Sequence, residues 1–108
     1  MALVHIDSEE AFDALVKEAK VPVLVDFWAS WCAPCRVQGK ILDEVAGSLT
    51  GHAIIAKVDV DQVGAVAARY GIRSIPTLMV FENGKMKEKA VGVQSKDRVE
   101  NLLSLNRT

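Results

Sequence analysis

The sequence predicts an α/β protein with a mixed central β-sheet that carries helices on both faces. The run VLVDFW, from Val23 to Trp28, is too continuously apolar for a strand with one face in water, and it is typical of a central strand covered on both sides. Patterns typical of strands and helices alternate along most of the chain, and Asn83-Gly84 predicts a tight hairpin near its end. The predicted order is β-α-β-α-β-α-β-β-α, parallel where helices cross over and antiparallel at the final hairpin.

Length and composition predict one domain over residues 1–108. Half of the residues are hydrophobic and a quarter are charged, which is an ordinary globular profile, and no repeat or linker interrupts it. The net charge is -1 with the cations scattered, so we expect neither nucleic acid nor an anionic membrane as a partner. No apolar run approaches the length of a membrane span. We expect a monomer.

The N-terminal part of the chain predicts a strand over Leu3–Ile6 and then an amphipathic helix. Asp7, followed three residues later by Glu10, resembles a capping box that opens this helix. The apolar side chains of one helix face are Phe12, Leu15, Val16 and Ala19. Pro22 precedes the central strand, at a position where its missing N–H does least harm.

The middle of the chain predicts a longer helix, a strand and a short helix. The longer helix begins at or near Cys32 and runs towards Ser48, and its predicted buried residues are Val37, Ile41, Leu42 and Val45. A strand follows over residues 53–60 (AIIAKVDV). The short helix then carries Val66, Ala67 and Tyr70, and Gly71 stands where a helix C-terminal glycine is expected.

The C-terminal part predicts a strand over residues 77–81, a return strand over residues 85–91, and a last helix. Lysines at every second position of the return strand indicate the solvent face of an edge strand that must resist pairing with other chains: Lys85, Lys87 and Lys89. Ser95 is the expected N-cap of the last helix, whose inward side chains are Val99, Leu102 and Leu103.

The only two cysteines, Cys32 and Cys35, allow three interpretations. A zinc site needs four ligands, and the remaining soft ligands, His5 and His52, form no second paired motif. A structural disulfide would close a tiny loop that hardly constrains the unfolded chain. The N-terminus has no basic leader, so we expect a cytoplasmic location, where stable disulfides are uncommon. A redox-active pair fits best, because a strand precedes the motif and a helix follows it.

The predicted position of the pair suits disulfide exchange. Only a thiolate attacks a disulfide, and the unpaired N–H groups and the dipole of a helix N-terminus stabilise a thiolate on Cys32. Cys35 lies one turn further on, where it is able to attack a mixed disulfide formed on Cys32. Pro34 loses no helix hydrogen bond in the first turn and stiffens the spacer. Trp31 either shields the site and contacts a substrate or packs beside the loop.

Asp26 is a second unusual residue, because an ionised carboxylate inside the apolar run VLVDFW is costly to bury. The functional interpretation is a proton acceptor and donor for Cys35, with a raised pKa. The alternative is an Asp that reaches solvent at a strand end. Lys57, on what we expect to be the adjacent strand, either pairs with Asp26 or extends its ammonium group into solvent.

These motifs together resemble the thioredoxin family over essentially the whole chain. The matching segments are VDFWASWCAPC, KVDVD and YGIRSIPTLMVFENG, with Gly92 after the last strand. The resemblance implies the thioredoxin fold and a protein-disulfide reductase that carries electrons and maintains cell redox homeostasis. It implies no bound cofactor or metal beyond the redox-active pair itself. The implied partners are a thioredoxin reductase and disulfide-containing protein substrates.

The resemblance also implies roles for individual residues. Cys32 would be the exposed attacking thiol and Cys35 the buried resolving one, with the Asp26 carboxyl below them and Lys57 near it. Pro76 would be cis and face the disulfide, and the Ile75 backbone would receive the substrate chain as an added strand. The implied apolar substrate groove is bordered by Trp31, Ala33, Pro34, Ser74, Ile75, Val91, Gly92 and Val93.

Two positions depart from the family pattern. The spacer is Ala33-Pro34 where the family usually has Gly-Pro, and we expect the added methyl group to stiffen the helix start and narrow access to Cys32. Lys40 stands where many relatives have a kinking proline, although Gly39 permits a bend there. The first departure affects the redox chemistry directly and the second affects helix shape.

Two other functions compete with a reductase. The same motif serves oxidants and isomerases, which the missing secretion signal argues against. A binding module would use the surface of the fold and not its thiols, and such a function would survive replacement of both cysteines by serine.

Overall fold

The computed structural model describes residues 3–49 and 51–103. In this part of the chain five strands form one sheet, in the order β1-β3-β2-β4-β5, together with four helices. The element bounds are β1 Leu3–Ile6, α1 Glu9–Glu18, β2 Val23–Trp28, α2 Ala33–Leu49, β3 Ile54–Asp59, α3 Gly64–Arg69, β4 Thr77–Glu82, β5 Lys85–Val91 and α4 Lys96–Leu102. The predicted element order is confirmed. None of these helices is long and apolar enough to cross a lipid bilayer.

The direction of β4 differs from the prediction. β1, β2 and β3 are parallel, but β4 runs antiparallel to β2, with Phe27 opposite Thr77 and Val23 opposite Phe81. The connection through α3 therefore begins and finishes at the same end of the strands. With only six residues, α3 is too short to carry the chain back along the length of the sheet, as a parallel crossover requires. This reversal places the segment before β4 next to the segment after β2.

The sheet is covered on both faces, as predicted. α2 and α4 pack on one face, in a cluster that includes Leu24, Leu42 and Val99. α1 and α3 pack on the other face, in a cluster that includes Val25, Phe27 and Phe12. Successive side chains of a strand alternate between faces, so Asp26 lies on the same face of β2 as Leu24, beneath α2.

The buried stripe of α2 differs from the prediction at two positions, since Ile41 is only half-buried and Val37 is exposed. Val37 was expected to be buried, but it is 52% exposed, and the polar side chain of Gln38 is fully buried instead. The buried residues are spaced three or four apart, as a helix face requires: Cys35, Gln38, Leu42, Val45 and Leu49. Val37 is two positions from Cys35, about 200° around the helix, so it faces away from the sheet.

The turns follow the sequence signals. Asn83 (φ 54°) and Gly84 (φ 78°) both have the positive φ of a two-residue hairpin turn, which joins β4 to the edge strand β5. The three lysines of β5 are exposed. Gly71 (φ 63°) follows the C-cap of α3, and the Ser95 hydroxyl accepts a hydrogen bond from the Arg98 N–H at the start of α4. These predictions are confirmed.

The N-cap of α1 was predicted incorrectly. Ser8, and not Asp7, caps the helix: its hydroxyl oxygen accepts a 3.0 Å hydrogen bond from the Ala11 N–H. Ser8 is itself a favoured N-cap residue, and α1 begins at Glu9, one residue later than a cap at Asp7 would place it.

We therefore expect Ser8→Ala to lower the free energy of unfolding by about 1 kcal/mol, because an N–H at the helix start loses its acceptor. The matched change Asp7→Ala should alter it by less than about 0.5 kcal/mol, as is usual for an exposed side chain without such a bond. Urea denaturation of both variants measures the two values. A larger loss for Asp7→Ala than for Ser8→Ala would show that Asp7 is the N-cap.

Candidate active site

Cys32 and Cys35 lie where the chain passes from β2 into α2, and they form a disulfide bond. Cys35 is in the first turn of α2, and its backbone N–H points at the Cys32 sulfur, with an N···S distance of 3.2 Å. The Cys32 carbonyl accepts from the Arg36 N–H at 3.3 Å, which is the first bond of the helical ladder. The sulfur of Cys32 therefore faces an N–H donor and the positive end of the helix dipole, and both stabilise negative charge on it.

The disulfide is more buried than the resemblance implied. Cys32 was expected to be the exposed thiol, but only 5% of the residue is exposed, compared with 2% of Cys35. The two cysteines and Ala29 form a small cluster against which Trp28, Val60 and Ile75 pack. Cys32 belongs to this cluster, and its sulfur lies 3.8 Å from the Ile75 carbonyl oxygen.

The segment before β4 forms the other side of the site. The Ile75–Pro76 peptide bond is cis, as the resemblance implies. The Pro76 carbonyl accepts a 2.9 Å hydrogen bond from the Gly92 N–H, which joins this segment to the end of β5. Within residues 3–49 and 51–103, the Ile75 N–H donates to no acceptor. This N–H and the neighbouring carbonyl form a short length of unpaired backbone beside the disulfide.

The segments on either side of the disulfide carry exposed apolar side chains. Trp31 is 68% exposed, and its indole N–H donates a 2.8 Å hydrogen bond to Asp61 Oδ2. This exposure favours substrate contact over packing as the role of Trp31. The remaining residues of the expected groove divide by exposure: Ala33, Pro34, Ser74, Val91 and Val93 are exposed, Ile75 and Gly92 are half-buried, and Pro76 is buried. Trp31, Ala33 and Pro34 follow β2, whereas the others flank the paired ends of β4 and β5.

Asp26 is fully buried in the middle of β2, so it does not reach solvent at a strand end. Neither carboxylate oxygen accepts a hydrogen bond from any described residue. Its register partner on β3 is Lys57, and the Lys57 ammonium nitrogen lies 3.7 Å from Asp26 Oδ2, which is an ion-pair distance and not a hydrogen bond. Burial raises the pKa of Asp26 to about 6, and the nearby Lys57 charge opposes part of that rise.

Lys57 lies between the buried carboxylate and the surface. Its side chain is 13% exposed, and the ammonium nitrogen is 5.0 Å from the centre of the Trp28 ring, within cation–π range. A Cβ at Gly39 would lie 3.3 Å from this nitrogen, a tight approach, so glycine at this position of α2 leaves room for the ammonium group. Gly39 was predicted only as a place for a bend.

Three residues of the site were missed at the level of sequence. Gln38 holds the loop after β5, and its signal was a polar residue three positions after Cys35 on a buried helix face. Asp61 orients Trp31 across 30 positions of the chain, a contact for which the sequence carries no local signal. Gly39 accommodates Lys57.

The described residues gather no group of three or more His, Cys, Asp or Glu side chains that could hold a metal ion. The arrangement brings together the elements of disulfide exchange. One sulfur is stabilised by a helix start, a second lies one turn away, and a carboxylate with a raised pKa is buried beneath the same helix.

Comparisons of the sequence and of the structure with known proteins all find thioredoxins. The family model described as Thioredoxin matches residues 3–104. The chain is 41% identical over 103 residues to thioredoxin 1 of Synechococcus elongatus, covering 95% of this chain and 96% of that protein. It is 42% identical over 90 residues to a thioredoxin of Rickettsia felis, covering 83% and 86%. A solved structure of a mutant thioredoxin from Halobacterium salinarum superposes with a TM-score of 0.87 at 31% identity, covering 98% of this chain and 91% of that one.

The raised pKa of Asp26 predicts a pH-dependent stability cost. Between about pH 4 and pH 6 the folded chain retains a proton that the unfolded chain has released, so stability falls as the pH rises through this range. We expect Asp26→Asn to abolish this fall. Relative to the unmodified chain, the variant should gain on the order of 2–3 kcal/mol in unfolding free energy between pH 4 and pH 7.

Urea denaturation of the oxidised protein at a series of pH values measures this gain. Asp43→Asn, the same change at an exposed position of α2, is the matched control and should leave the pH profile unaltered. Parallel profiles for the unmodified chain and Asp26→Asn would show that the Asp26 carboxyl titrates normally.

Proposed function

The chain belongs to the thioredoxin family of thiol–disulfide oxidoreductases, and we propose that it reduces disulfide bonds in other proteins through Cys32 and Cys35. The observation that carries the proposal is the position of the pair: a disulfide at the start of α2, with an N–H aimed at Cys32 and unpaired Ile75 backbone beside it. A pair in this position has both a stabilised thiolate and a place for a substrate chain.

The first step is attack by Cys32. In the reduced chain the Cys32 thiolate attacks one sulfur of the substrate disulfide, the substrate S–S bond breaks, and the departing sulfur leaves as a thiolate that takes up a proton. The product is a mixed disulfide between Cys32 and the substrate. The Cys35 N–H and the N-terminus of α2 support the negative charge on Cys32 before the attack.

The second step is resolution by Cys35. The Asp26 carboxylate accepts the Cys35 proton, and the resulting thiolate attacks the Cys32 sulfur and displaces the second substrate sulfur as a thiolate. Two electrons have then passed to the substrate, and the Cys32–Cys35 disulfide remains. A pKa of about 6 suits Asp26 to this exchange near neutral pH, and Lys57 keeps the carboxylate partly ionised despite its burial.

The substrate chain lies along the apolar surface around the disulfide. Its backbone pairs with the Ile75 N–H and carbonyl as a short added strand, a common mode of peptide recognition. Its side chains contact the surface formed by Trp31, Ala33, Pro34, Ser74, Val91, Gly92 and Val93. Pro76 is buried and supports this surface through the hydrogen bond that its carbonyl accepts from the Gly92 N–H. Exposed apolar side chains at Trp31, Val91 and Val93 support this assignment, because burying them against a partner is favourable.

Membership of the thioredoxin family supports a proposal for the surrounding pathway. A thioredoxin reductase returns two electrons to the Cys32–Cys35 disulfide, so the chain carries electrons between that enzyme and its substrates and maintains redox homeostasis. We place this cycle in the cytoplasm, with residues 1–108 acting as one monomeric domain.

The attack-and-resolve order predicts the behaviour of two serine variants. Cys35→Ser should accumulate a stable mixed disulfide on Cys32, because nothing resolves it. Incubating the reduced variant with a disulfide-bonded protein such as insulin, then separating the products on a non-reducing gel, measures the adduct. Cys32→Ser is the matched control and should give none. Equal adducts on both variants, or none on either, would contradict the assigned roles.

The proposed role of Asp26 predicts a change in the resolution step alone. Asp26→Asn should slow release of the substrate from the mixed disulfide by about 100-fold at neutral pH, because the proton acceptor is lost. The defect should be largest above about pH 6, where the carboxylate of the unmodified chain is ionised, and should diminish below it.

Rapid quenching of a single turnover, followed by quantification of the mixed disulfide, measures this step. Glu44→Gln, which neutralises an exposed carboxylate on α2, the helix that carries Cys35, should leave the rate unaltered. Slowing of the Cys32 attack with normal release would assign Asp26 to the wrong cysteine.

A further inference from the structure

Gln38 forms a two-point contact with the loop that follows β5. Its side-chain N–H donates to the Gln94 carbonyl oxygen at 3.1 Å, and its side-chain carbonyl accepts from the Gln94 N–H at 2.6 Å. The side chain is fully buried, so solvent does not compete for either bond. The amide thus pairs with the Gln94 backbone in the way that a neighbouring strand would.

Gln94 passes this restraint to the residues before it. The Gln94 side-chain N–H group donates to the carbonyls of Val91 (3.2 Å) and Gly92 (3.0 Å). The Gly92 N–H donates in turn to the Pro76 carbonyl at 2.9 Å. The segment 91–94, which we call the groove loop, is therefore held on one side by α2 and on the other by the cis-proline segment. Gly92 has a φ of 89°, a backbone conformation that glycine adopts readily and in which a side chain would be strained.

We propose that Gln38 is a positioning residue: it holds the groove loop in the position, relative to the disulfide, that an extended protein substrate requires. The proposal rests on the proposed function and names a determinant of its specificity. Gln38 follows Cys35 by one turn of α2, so the same rigid helix carries the resolving cysteine and the anchor of the groove wall. The exposed side chains of Val91 and Val93 are the parts of the loop that meet the substrate.

Packing alone does not account for a glutamine at this position. The neighbouring members of the buried stripe, Leu42, Val45 and Leu49, are apolar, and burying an amide among them is unfavourable unless its hydrogen bonds are made. Here each polar group of the Gln38 side chain is used on the groove loop. An apolar residue of similar length would fill the space and leave the Gln94 N–H and carbonyl without partners.

The test uses Gln38→Met in the full chain, which keeps length and apolar volume and removes both bonds. We measure kcat/KM for reduction of insulin and the rate of reaction with the small disulfide 5,5′-dithiobis(2-nitrobenzoic acid). The ratio of the two should fall by about 5- to 30-fold through a higher KM for insulin, the loss expected for two hydrogen bonds of ordinary strength. Gln94→Ala, which removes only the bonds to Val91 and Gly92, should lower the ratio less.

Val45→Ala is the matched control, because it truncates a fully buried side chain of the same helix whose core cluster includes no residue of the groove loop. It should destabilise the protein without changing the ratio. Amide hydrogen exchange at Gln94 gives a second readout: its protection should be lost in Gln38→Met and kept in Val45→Ala.

An unchanged ratio, or a fall in both reactions by the same factor, would overturn the positioning role of Gln38. Retained protection of the Gln94 amide in Gln38→Met would also overturn it. If the unmodified chain reacts with the small disulfide but does not accelerate insulin reduction, the proposed function itself fails, and that outcome is visible before any variant is made.

Discussion

The antiparallel pairing of β2 with β4 is the constraint on which the site depends. Because Phe27 lies opposite Thr77, the chain leaves β2 and enters β4 at the same end of these two strands. The cysteine pair follows β2 and the Ile75–Pro76 bond precedes β4, so backbone register brings the Cys32 sulfur to within 3.8 Å of the Ile75 carbonyl. A parallel β4 would have placed these two segments at opposite ends of the sheet. The reactive group and the unpaired backbone beside it are thus consequences of strand direction.

Helix α2 links this end of the sheet to the buried core beneath the helix. Its N-terminus supports the Cys32 sulfur, its buried stripe begins with Cys35 and continues with Gln38, and Gly39 leaves room for the Lys57 ammonium group. Beneath it, Asp26 is buried without a hydrogen-bond donor, an arrangement that lowers stability and raises the pKa of the carboxyl to about 6. A buried carboxyl with a perturbed pKa is a usual feature of functional sites, which supports our proposal that Asp26 exchanges a proton with Cys35.

Much of this architecture was predictable because its signals are local. The apolar run around Asp26, the Asn83-Gly84 turn and the Ser95 cap each depend on neighbours within a few residues, and each was predicted.

The errors were at positions where tertiary context decides. Ser8 and Asp7 are both competent N-caps, so the boundary of α1 selects between them, and Val37 is apolar like its buried neighbours but lies on the outer side of the helix. The contacts of Gln38 with Gln94, and of Trp31 with Asp61, join positions far apart in the chain and follow only from the fold.

The most direct test of the account is the equilibrium between the Cys32–Cys35 pair and glutathione. The protein is equilibrated with defined ratios of reduced and oxidised glutathione, and the dithiol fraction is measured by thiol labelling. A chain that reduces protein disulfides should have a potential more negative than that of glutathione, so that its disulfide persists in buffers where glutathione is largely reduced; each 30 mV of difference corresponds to about a tenfold change in the equilibrium constant. A potential well above that of glutathione, with the dithiol favoured at all ratios, would identify an oxidant and contradict the account.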